Sequence, residues 1–246
     1  EHGGLDGLIG QAAALVEAGI DLDSLVALAA PVGQGGFSEP CFEAECRAAA
    51  LPPPGQRIAV AQDIAFAFAY PHMLQGWHGA GAEISLFSPL ADEAPAEDCD
   101  FIFLPGGYPE LHAGRLAGGH IFRTGMLAAA ERGTAVYGEC GGYMVLGDAI
   151  VDETGERHAM LGLLPLTTSF AERRLHLGYR RLEPLAGAPW DMPLRAHEFH
   201  YASIVEEGAA DRLFDAGTGD GDPLGAIGLR RGRVTGSFAH VIEAER

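Results

Sequence analysis

The 246-residue sequence contains no lysine, and all 16 of its basic residues are arginines. A phosphate-binding loop of the G-x-x-x-x-G-K-[ST] type needs a lysine that reaches the phosphates, so this chain holds no ATP site of that kind. The arginines are outnumbered by 34 acidic residues, which gives a formal net charge of −18. Because a surface this acidic repels nucleic acid and anionic membranes, we expect neither as a partner.

Cysteine is scarce as well. The four cysteines are Cys41, Cys46, Cys99 and Cys140, at irregular spacing and in no CxxC pair. This pattern excludes a disulfide scaffold and provides no zinc motif, so we expect no metal site. Free thiols are typical of a reducing compartment, and we predict a cytoplasmic location. The sequence also shows no signal peptide and no apolar run of the roughly 20 residues that cross a bilayer.

The beginning of the chain has a helical pattern. Residues 5–18 and 22–30 carry apolar side chains at helical spacing. Asp21 and Asp23 are the candidate caps of the second helix, since a carboxylate can accept the free N–H groups of a first turn.

A segment rich in glycine and proline follows at residues 31–56 and is predicted to be a linker, with a short helix at 41–50. The sequence begins at Glu1 rather than at methionine. We therefore expect a piece of a longer protein, in which residues 1–50 are the tail of a preceding domain plus a linker. Residues 51–246 are predicted to be the main domain.

From residue 57 onwards, short apolar runs alternate with helical patterns. The runs predicted as strands are residues 57–63, 83–88, 100–107 and 134–139. Helices are predicted at 70–82 and at 120–133, where Gly133 is the expected stop. Nearly all-apolar strands separated by helices predict an α/β fold with a mostly parallel open sheet and helices on both faces. Antiparallel strands expected to extend this sheet are residues 175–183, 194–202 and 226–240.

One cysteine lies among glycines in the segment GECGG at residues 138–142, directly after the fourth predicted strand. Ligands of open α/β sheets bind outside the carboxyl ends of the strands, and this layout matches the G-x-S-x-G elbow that exposes a nucleophile on a tight turn. We predict that Cys140 is exposed there, with its pKa lowered by the following helix N-terminus and with backbone N–H groups that hold an oxyanion. The alternative is a buried structural cysteine, which is our interpretation of Cys99.

A thiol nucleophile needs a base, and the sequence contains ten histidines. We favour His240, because it follows a Gly-Ser break where a strand can end at the active edge of the sheet. His197 and His200 are the nearest alternatives. His112 is a further alternative, at what is predicted to be a solvated helix start.

Four segments together resemble one family. They are ECGGYM at 139–144, LPGGYPELHAGRL at 104–116, HEFHYA at 197–202 and GSFAH at 236–240. Over residues 57–243 the chain is similar to the class I glutamine amidotransferase domain of the cobyrinic or hydrogenobyrinic acid a,c-diamide synthases. The resemblance implies a flavodoxin-like core of the class I type, and it implies that residues 1–30 are the tail of an ATP-dependent synthetase domain.

The resemblance also implies a mechanism. Cys140 would attack the side-chain amide of glutamine, form a γ-glutamyl thioester and release ammonia, while His240 moves the protons. Backbone N–H groups of Gly106, Gly107 and Gly141 would bind the oxyanion. The ammonia would pass to the synthetase domain, where ATP and Mg²⁺ serve to activate the a and c acetate side chains of a tetrapyrrole. This chain is therefore expected to need no cofactor of its own, and a homodimer is expected as well.

One position departs from the wider amidotransferase class. Many members carry a glutamate two residues after the histidine, whereas this sequence has Ile242 there, and Glu243 would point to the opposite face of a strand. The subfamily therefore resembles a Cys–His dyad. Glu198 is a candidate substitute, although it can instead pair with Arg195 or Arg180. The further supporting candidates are His197 and Glu139.

Three other functions stay open at this point. The nickel-sirohydrochlorin a,c-diamide synthases have a similar amidotransferase half, a thiol hydrolase can use a similar fold, and a docking module can be catalytically silent. Four arginines lie within nine residues and either form a basic rim for a polycarboxylate or balance local acids. They are Arg173, Arg174, Arg180 and Arg181.

Overall fold

A computed structural model of the chain describes residues 3–28 and 51–245. The chain divides into two compact units, Glu1–Glu45 and Cys46–Arg246. In the first unit, α1 spans Gly3–Gly19 and α2 spans Leu22–Leu28. Asp21 caps α2, since its Oδ1 accepts a hydrogen bond of 3.0 Å from the backbone N–H of Ser24. Residues 29–50, which include most of the predicted linker and its helix, lie outside the described residues.

The second unit is built on a ten-stranded sheet whose parallel part follows the predicted pattern. Its strands are β1 (Arg57–Ala61), β2 (Glu83–Phe87), β3 (Phe101–Leu104) and β4 (Ala135–Glu139), in the spatial order β4-β3-β1-β2. All of these pairs are parallel. β3 and the last four residues of β4 are fully buried, which is why these strands are almost entirely apolar.

Helices cover both faces of this parallel part. They are α3 (Pro71–Gly79), α4 (Ala113–Ala117), α5 (His120–Glu131) and α6 (Gly141–Leu146). The α3 side chains Met73 and Trp77 pack into one core cluster, whereas Phe122 and Met126 of α5 pack into the other. Alternate residues of a strand face opposite sides of a sheet, and the sheet accordingly separates the two clusters. Gly133 follows α5 with a φ of 82°, as expected for a helix stop.

Six more strands extend the sheet. They are β8 (His176–Pro184), β9 (Leu194–His200), β11 (Asp211–Thr218), β12 (Pro223–Arg231), β13 (Val234–Ser237) and β14 (His240–Ala244), in the order β14-β9-β8-β11-β12-β13. Most pairs are antiparallel, as predicted, but β13 pairs with β4 in parallel. The sheet curls, because β14 stands first in this order and yet its Val241 N–H bonds the Glu139 side chain on β4.

A second sheet departs from the single sheet that the sequence predicts. Its strands are β5 (Ala149–Val151), β6 (Arg157–Ala159), β7 (Leu166–Ser169) and β10 (Ser203–Glu207), in the order β10-β7-β5-β6. These strands are three to five residues long. A run this short shows no readable alternation of apolar and polar residues, which is why the sequence pattern missed it. Among the described helices, none is both long and apolar enough to cross a membrane.

Candidate active site

Cys140 occupies the sharp turn between β4 and α6. Its φ of 46° and ψ of −104° are unusual for a residue with a side chain, and Asp92 is the only other non-glycine residue with positive φ in the described parts of the chain. The turn also needs its glycines. A Cβ at Gly142 would overlap the carbonyl oxygen of Leu104, and a Cβ at Gly138 would lie 2.8 Å from the backbone carbon of Gly142. The structure therefore shows a strained elbow at the end of β4.

The predicted exposure and lowered pKa of the Cys140 thiol are wrong for this structure. Cys140 is 4% exposed. The pKa of the thiol is raised to about 12, mainly by burial and also by the Glu110, Glu139 and Glu198 carboxylates. The backbone N–H of Gly141 lowers the pKa, but this effect is smaller than that of burial. The resting thiol is therefore protonated at neutral pH.

A glycine loop that follows β3 lies beside the elbow. β3 and β4 are paired up to Leu104 and Gly138, so both strands end at the same edge of the sheet. A Cβ at Gly141 would lie 3.0 Å from the backbone nitrogen of Gly107. A Cβ at Gly106 would lie 3.2 Å from each ring nitrogen of His240. The structure thus brings the three predicted oxyanion glycines and the predicted base to one place.

His240 is the first residue of β14 and is 3% exposed. Its imidazole stacks on that of His197, with ring centres 4.8 Å apart and planes 1° apart. The pKa of His240 is lowered to about 3, mainly by burial and also by the nearby His197 and His200. The imidazole is therefore neutral at physiological pH and is able to accept a proton. Within the described residues the Cys140 thiol donates its one hydrogen bond to the Phe199 carbonyl, at 3.9 Å, and not to His240.

The alternative histidines have other partners. His197 Nε2 lies 2.5 Å from the Tyr70 hydroxyl, and His200 Nδ1 lies 3.0 Å from the Ala202 carbonyl oxygen. His112 ends the short 3₁₀ turn Pro109–His112 in the loop that follows the glycine pair. The structure therefore places His240, among these candidates, against the oxyanion glycines.

Two carboxylates near the site differ in what they contact. Glu198 forms an ion pair of 2.5 Å with Arg180 and lies 3.7 Å from His200, which matches the alternative interpretation of that residue. Glu139 Oε2 instead lies 4.0 Å from Nδ1 of His240. Glu139 is a supporting candidate from the sequence because it directly precedes Cys140. Only the curled sheet shows that its carboxylate faces the His240 imidazole.

Three of the four clustered arginines pair with acids. Arg173 pairs with Glu153, Arg180 with Glu198, and Arg181 with Glu245. The fourth, Arg174, lines a cavity of about 410 Å³ together with Tyr143, His200 and Phe238. These pairs favour the interpretation in which most of the cluster balances local acids.

A strained cysteine beside a glycine loop, at the carboxyl edge of a mostly parallel sheet, is typical of α/β enzymes that use a thiol nucleophile. The family model of the CobB/CobQ-like glutamine amidotransferase domain matches residues 57–246, and the chain belongs to that family.

Curated relatives match almost the whole chain. One is the hydrogenobyrinate a,c-diamide synthase of Brucella abortus, which is 60% identical over 243 residues that cover 99% of this chain and 54% of the relative. The protein of the same name from Sinorhizobium sp. is 58% identical with the same coverage. The chain thus spans about half the length of these relatives. Among solved structures, PurLQS from Thermotoga maritima is similar with a TM-score of 0.47 and 18% identity, over 76% of this chain and 87% of that chain.

Proposed function

We propose that the chain is the glutamine-hydrolysing half of a hydrogenobyrinate a,c-diamide synthase. The proposal is supported by membership of the amidotransferase family and by the name shared by relatives that are 58–60% identical. The observation that carries the chemistry is the meeting of the Cys140 elbow, the Gly106 loop and the His240 imidazole at one edge of the sheet. The nickel-sirohydrochlorin and thiol-hydrolase alternatives have no comparable support.

The first half of the reaction forms a thioester. The Cys140 sulfur attacks the side-chain amide carbon of glutamine, and the thiol proton passes to His240. Backbone N–H groups of Gly106, Gly107 and Gly141 stabilise the negative oxygen of the tetrahedral intermediate. His240 then returns the proton to the amide nitrogen, the C–N bond breaks, and ammonia leaves.

Water completes the cycle. His240 takes a proton from a water molecule while the water oxygen attacks the thioester carbon. The C–S bond then breaks, and the Cys140 sulfur regains the proton from His240. The net reaction converts glutamine and water to glutamate and ammonia. Because the thiol has a pKa of about 12 and the imidazole a pKa of about 3, the resting pair is neutral. Proton transfer therefore accompanies attack on bound glutamine. When glutamine is absent, the thiol stays protonated.

The remaining half of the enzyme is proposed to use the ammonia. It would bind ATP, Mg²⁺ and the tetrapyrrole polycarboxylate, and amidate the a and c carboxylates. The acidic charge of this chain and the pairing of most of its clustered arginines support binding of the tetrapyrrole by the other half. A cytoplasmic location and a homodimer belong to the same proposal.

The test of glutamine hydrolysis measures glutamate release from glutamine by the 246-residue chain and by its variants. Cys140→Ala should abolish release, because it removes the attacking sulfur. Cys99→Ala is the matched control, since Cys99 is also a buried free thiol but precedes β3, whereas the elbow follows the end of the parallel strand β4. Equal release by wild type and Cys140→Ala would refute the proposal.

The substrate is tested with the full-length enzyme. With ATP and Mg²⁺, glutamine should support formation of the a,c-diamide of hydrogenobyrinate, whereas nickel-sirohydrochlorin should not be amidated. The Cys140→Ala enzyme should lose glutamine-dependent amidation but keep amidation with added ammonia. Amidation of nickel-sirohydrochlorin in place of hydrogenobyrinate would contradict the substrate assignment.

A further inference from the structure

We propose that Glu139, the residue immediately before the nucleophile, is a positioning residue that orients the His240 imidazole during glutamine hydrolysis. This inference rests on the proposed function. Glu139 would provide a carboxylate for the Cys–His pair, because the position two residues after the histidine is Ile242. The carboxylate reaches the base from β4, the strand that carries the nucleophile, rather than from β14.

The Glu139 side chain joins the strands of nucleophile and base. Its Oε1 accepts a hydrogen bond of 3.0 Å from the backbone N–H of Val241, and its Oε2 lies 4.0 Å from Nδ1 of His240. One side chain therefore holds the start of β14 by its backbone and faces the imidazole at the same time. Glu139 is 1% exposed, so bulk water does not compete for it.

The oxygen that faces the imidazole has one other polar neighbour, the buried Tyr137 hydroxyl. Within the described part of the chain, neither Glu139 Oε2 nor this hydroxyl makes a well-formed hydrogen bond, although the hydroxyl is close enough to lower the pKa of the carboxyl. A buried carboxylate oxygen without a partner costs free energy, and native proteins rarely leave one without a reason. Protonation of His240 would add an N–H donor that faces Oε2 from 4.0 Å, beside the neutral Tyr137 hydroxyl.

The other charged groups around His240 come from β9. His197 stacks on the ring, and both His197 and His200 oppose a proton on it, whereas Glu198 favours one. The Glu198 carboxylate, however, is held in an ion pair with an arginine. Glu139 is therefore the carboxylate positioned at Nδ1, which leaves Nε2 to accept the thiol proton.

The charge of Glu139 changes within the pH range of an enzyme assay. Burial raises the pKa of this carboxyl to about 8, while the adjacent buried Tyr137 has a pKa well above its usual value and stays neutral. Once Glu139 is charged, it stabilises the imidazolium that forms when His240 takes the thiol proton. We therefore expect kcat for glutamine hydrolysis to rise through a pKa near 8.

The test compares kcat, KM and the pH profile of glutamine hydrolysis in Glu139→Gln and in wild type. The glutamine side chain has the same size and still offers an oxygen to the Val241 N–H. We expect kcat to fall about 100-fold, as for a misplaced catalytic group, and the rise near pH 8 to disappear. KM should not change, because the role inferred for Glu139 is to orient His240 rather than to bind glutamine. Glu243→Gln, a carboxylate change on β14, is the matched control and should keep both kcat and the rise.

A conservative variant separates positioning from folding. Glu139→Asp keeps a titrating carboxyl, so it should recover part of kcat and retain a rise with pH. A Glu139→Gln variant with wild-type kcat and pH profile would overturn the inference, and so would a loss in which KM rises and the pH profile is unchanged. Wild-type protein that releases no glutamate would instead refute the proposed function.

Discussion

Replacing Gly106 by alanine should displace the base without touching the nucleophile. A Cβ at this position would lie 3.2 Å from both Nδ1 and Nε2 of His240, and closer still to the Cε1 atom between them. An ordinary carbon contact needs about 3.5–4.0 Å, so the ring must retreat by about 1 Å. The stacked His197 ring and the buried Glu139 carboxyl limit where the ring can go.

The expected effect of Gly106→Ala is on rate rather than on stability. A displacement of about 1 Å at a catalytic group costs about 100-fold in kcat, because the proton no longer transfers over a short, aligned path. The atoms that must move belong to a side chain, so the free energy of unfolding should change by less than about 2 kcal/mol. The assay is steady-state glutamate release, with chemical denaturation to measure stability.

Gly76→Ala in α3 is the matched control, since nothing lies within 4 Å of its added Cβ. That variant should keep wild-type kcat. If Gly106→Ala also keeps wild-type kcat, the imidazole beside Gly106 is not the base, and the reasoning from the glycine loop to His240 fails.

Three further predictions concern the elbow and its buried groups. Iodoacetamide should alkylate Cys140 slowly at neutral pH and progressively faster toward pH 12, because burial raises the pKa of the thiol, and rapid alkylation at pH 7 would contradict this. The free energy of unfolding should fall by about 1.4 kcal/mol per pH unit between pH 6.5 and 8, since the unfolded state has lost the Glu139 proton while the folded state keeps it up to about 8; below pH 6.5 this contribution is offset by His240, which binds a proton in the unfolded state but stays neutral in the folded state. Denaturant titrations of Glu139→Gln should lack this contribution, and a slope equal to that of wild type would exclude it. Gly142→Ala should lower stability by ~2–4 kcal/mol, more than Gly106→Ala, because its Cβ meets the backbone carbonyl of Leu104, and thermal unfolding with an unchanged Tm would refute the clash.

The parallel core was predictable because burial on both faces makes its strands continuous apolar runs. The segments predicted at 83–88 and 134–139 correspond to β2 (Glu83–Phe87) and β4 (Ala135–Glu139) within one residue at each end. The elbow was predictable for a related reason, since a sharp strand-to-helix turn needs glycines whose added Cβ atoms would meet backbone. These features are local, so the sequence pattern carries them.

The burial of Cys140 was not predictable from the elbow itself. The carbonyl of Phe199, which accepts a hydrogen bond from the thiol, belongs to β9 and lies 59 residues further along the chain. The six residues of α6 form a short helix, and its N-terminal effect on the thiol pKa is smaller than the cost of burial. A local pattern therefore indicated a nucleophile but not the groups that cover it.

The contact between Glu139 and His240 depends on the curl of the ten-stranded sheet. β14 and β4 are not neighbours in the sheet order. Glu139 accepts a hydrogen bond from the backbone N–H of Val241, which lies 102 residues further along the chain. Periodicity along single strands shows which face a side chain is on, but it does not show which distant strand returns to that face.

Covalent labelling of the chain by 6-diazo-5-oxo-L-norleucine, a diazoketone analogue of glutamine, tests the central claim most directly. Mass spectrometry of the digested protein should find one adduct, on Cys140, and the labelling rate should fall in His240→Ala. Prior incubation with glutamine should slow labelling, because both compounds occupy the same site. Adduct on Cys99 alone, or no adduct under conditions in which the chain is folded, would contradict the assignment of Cys140 as the nucleophile.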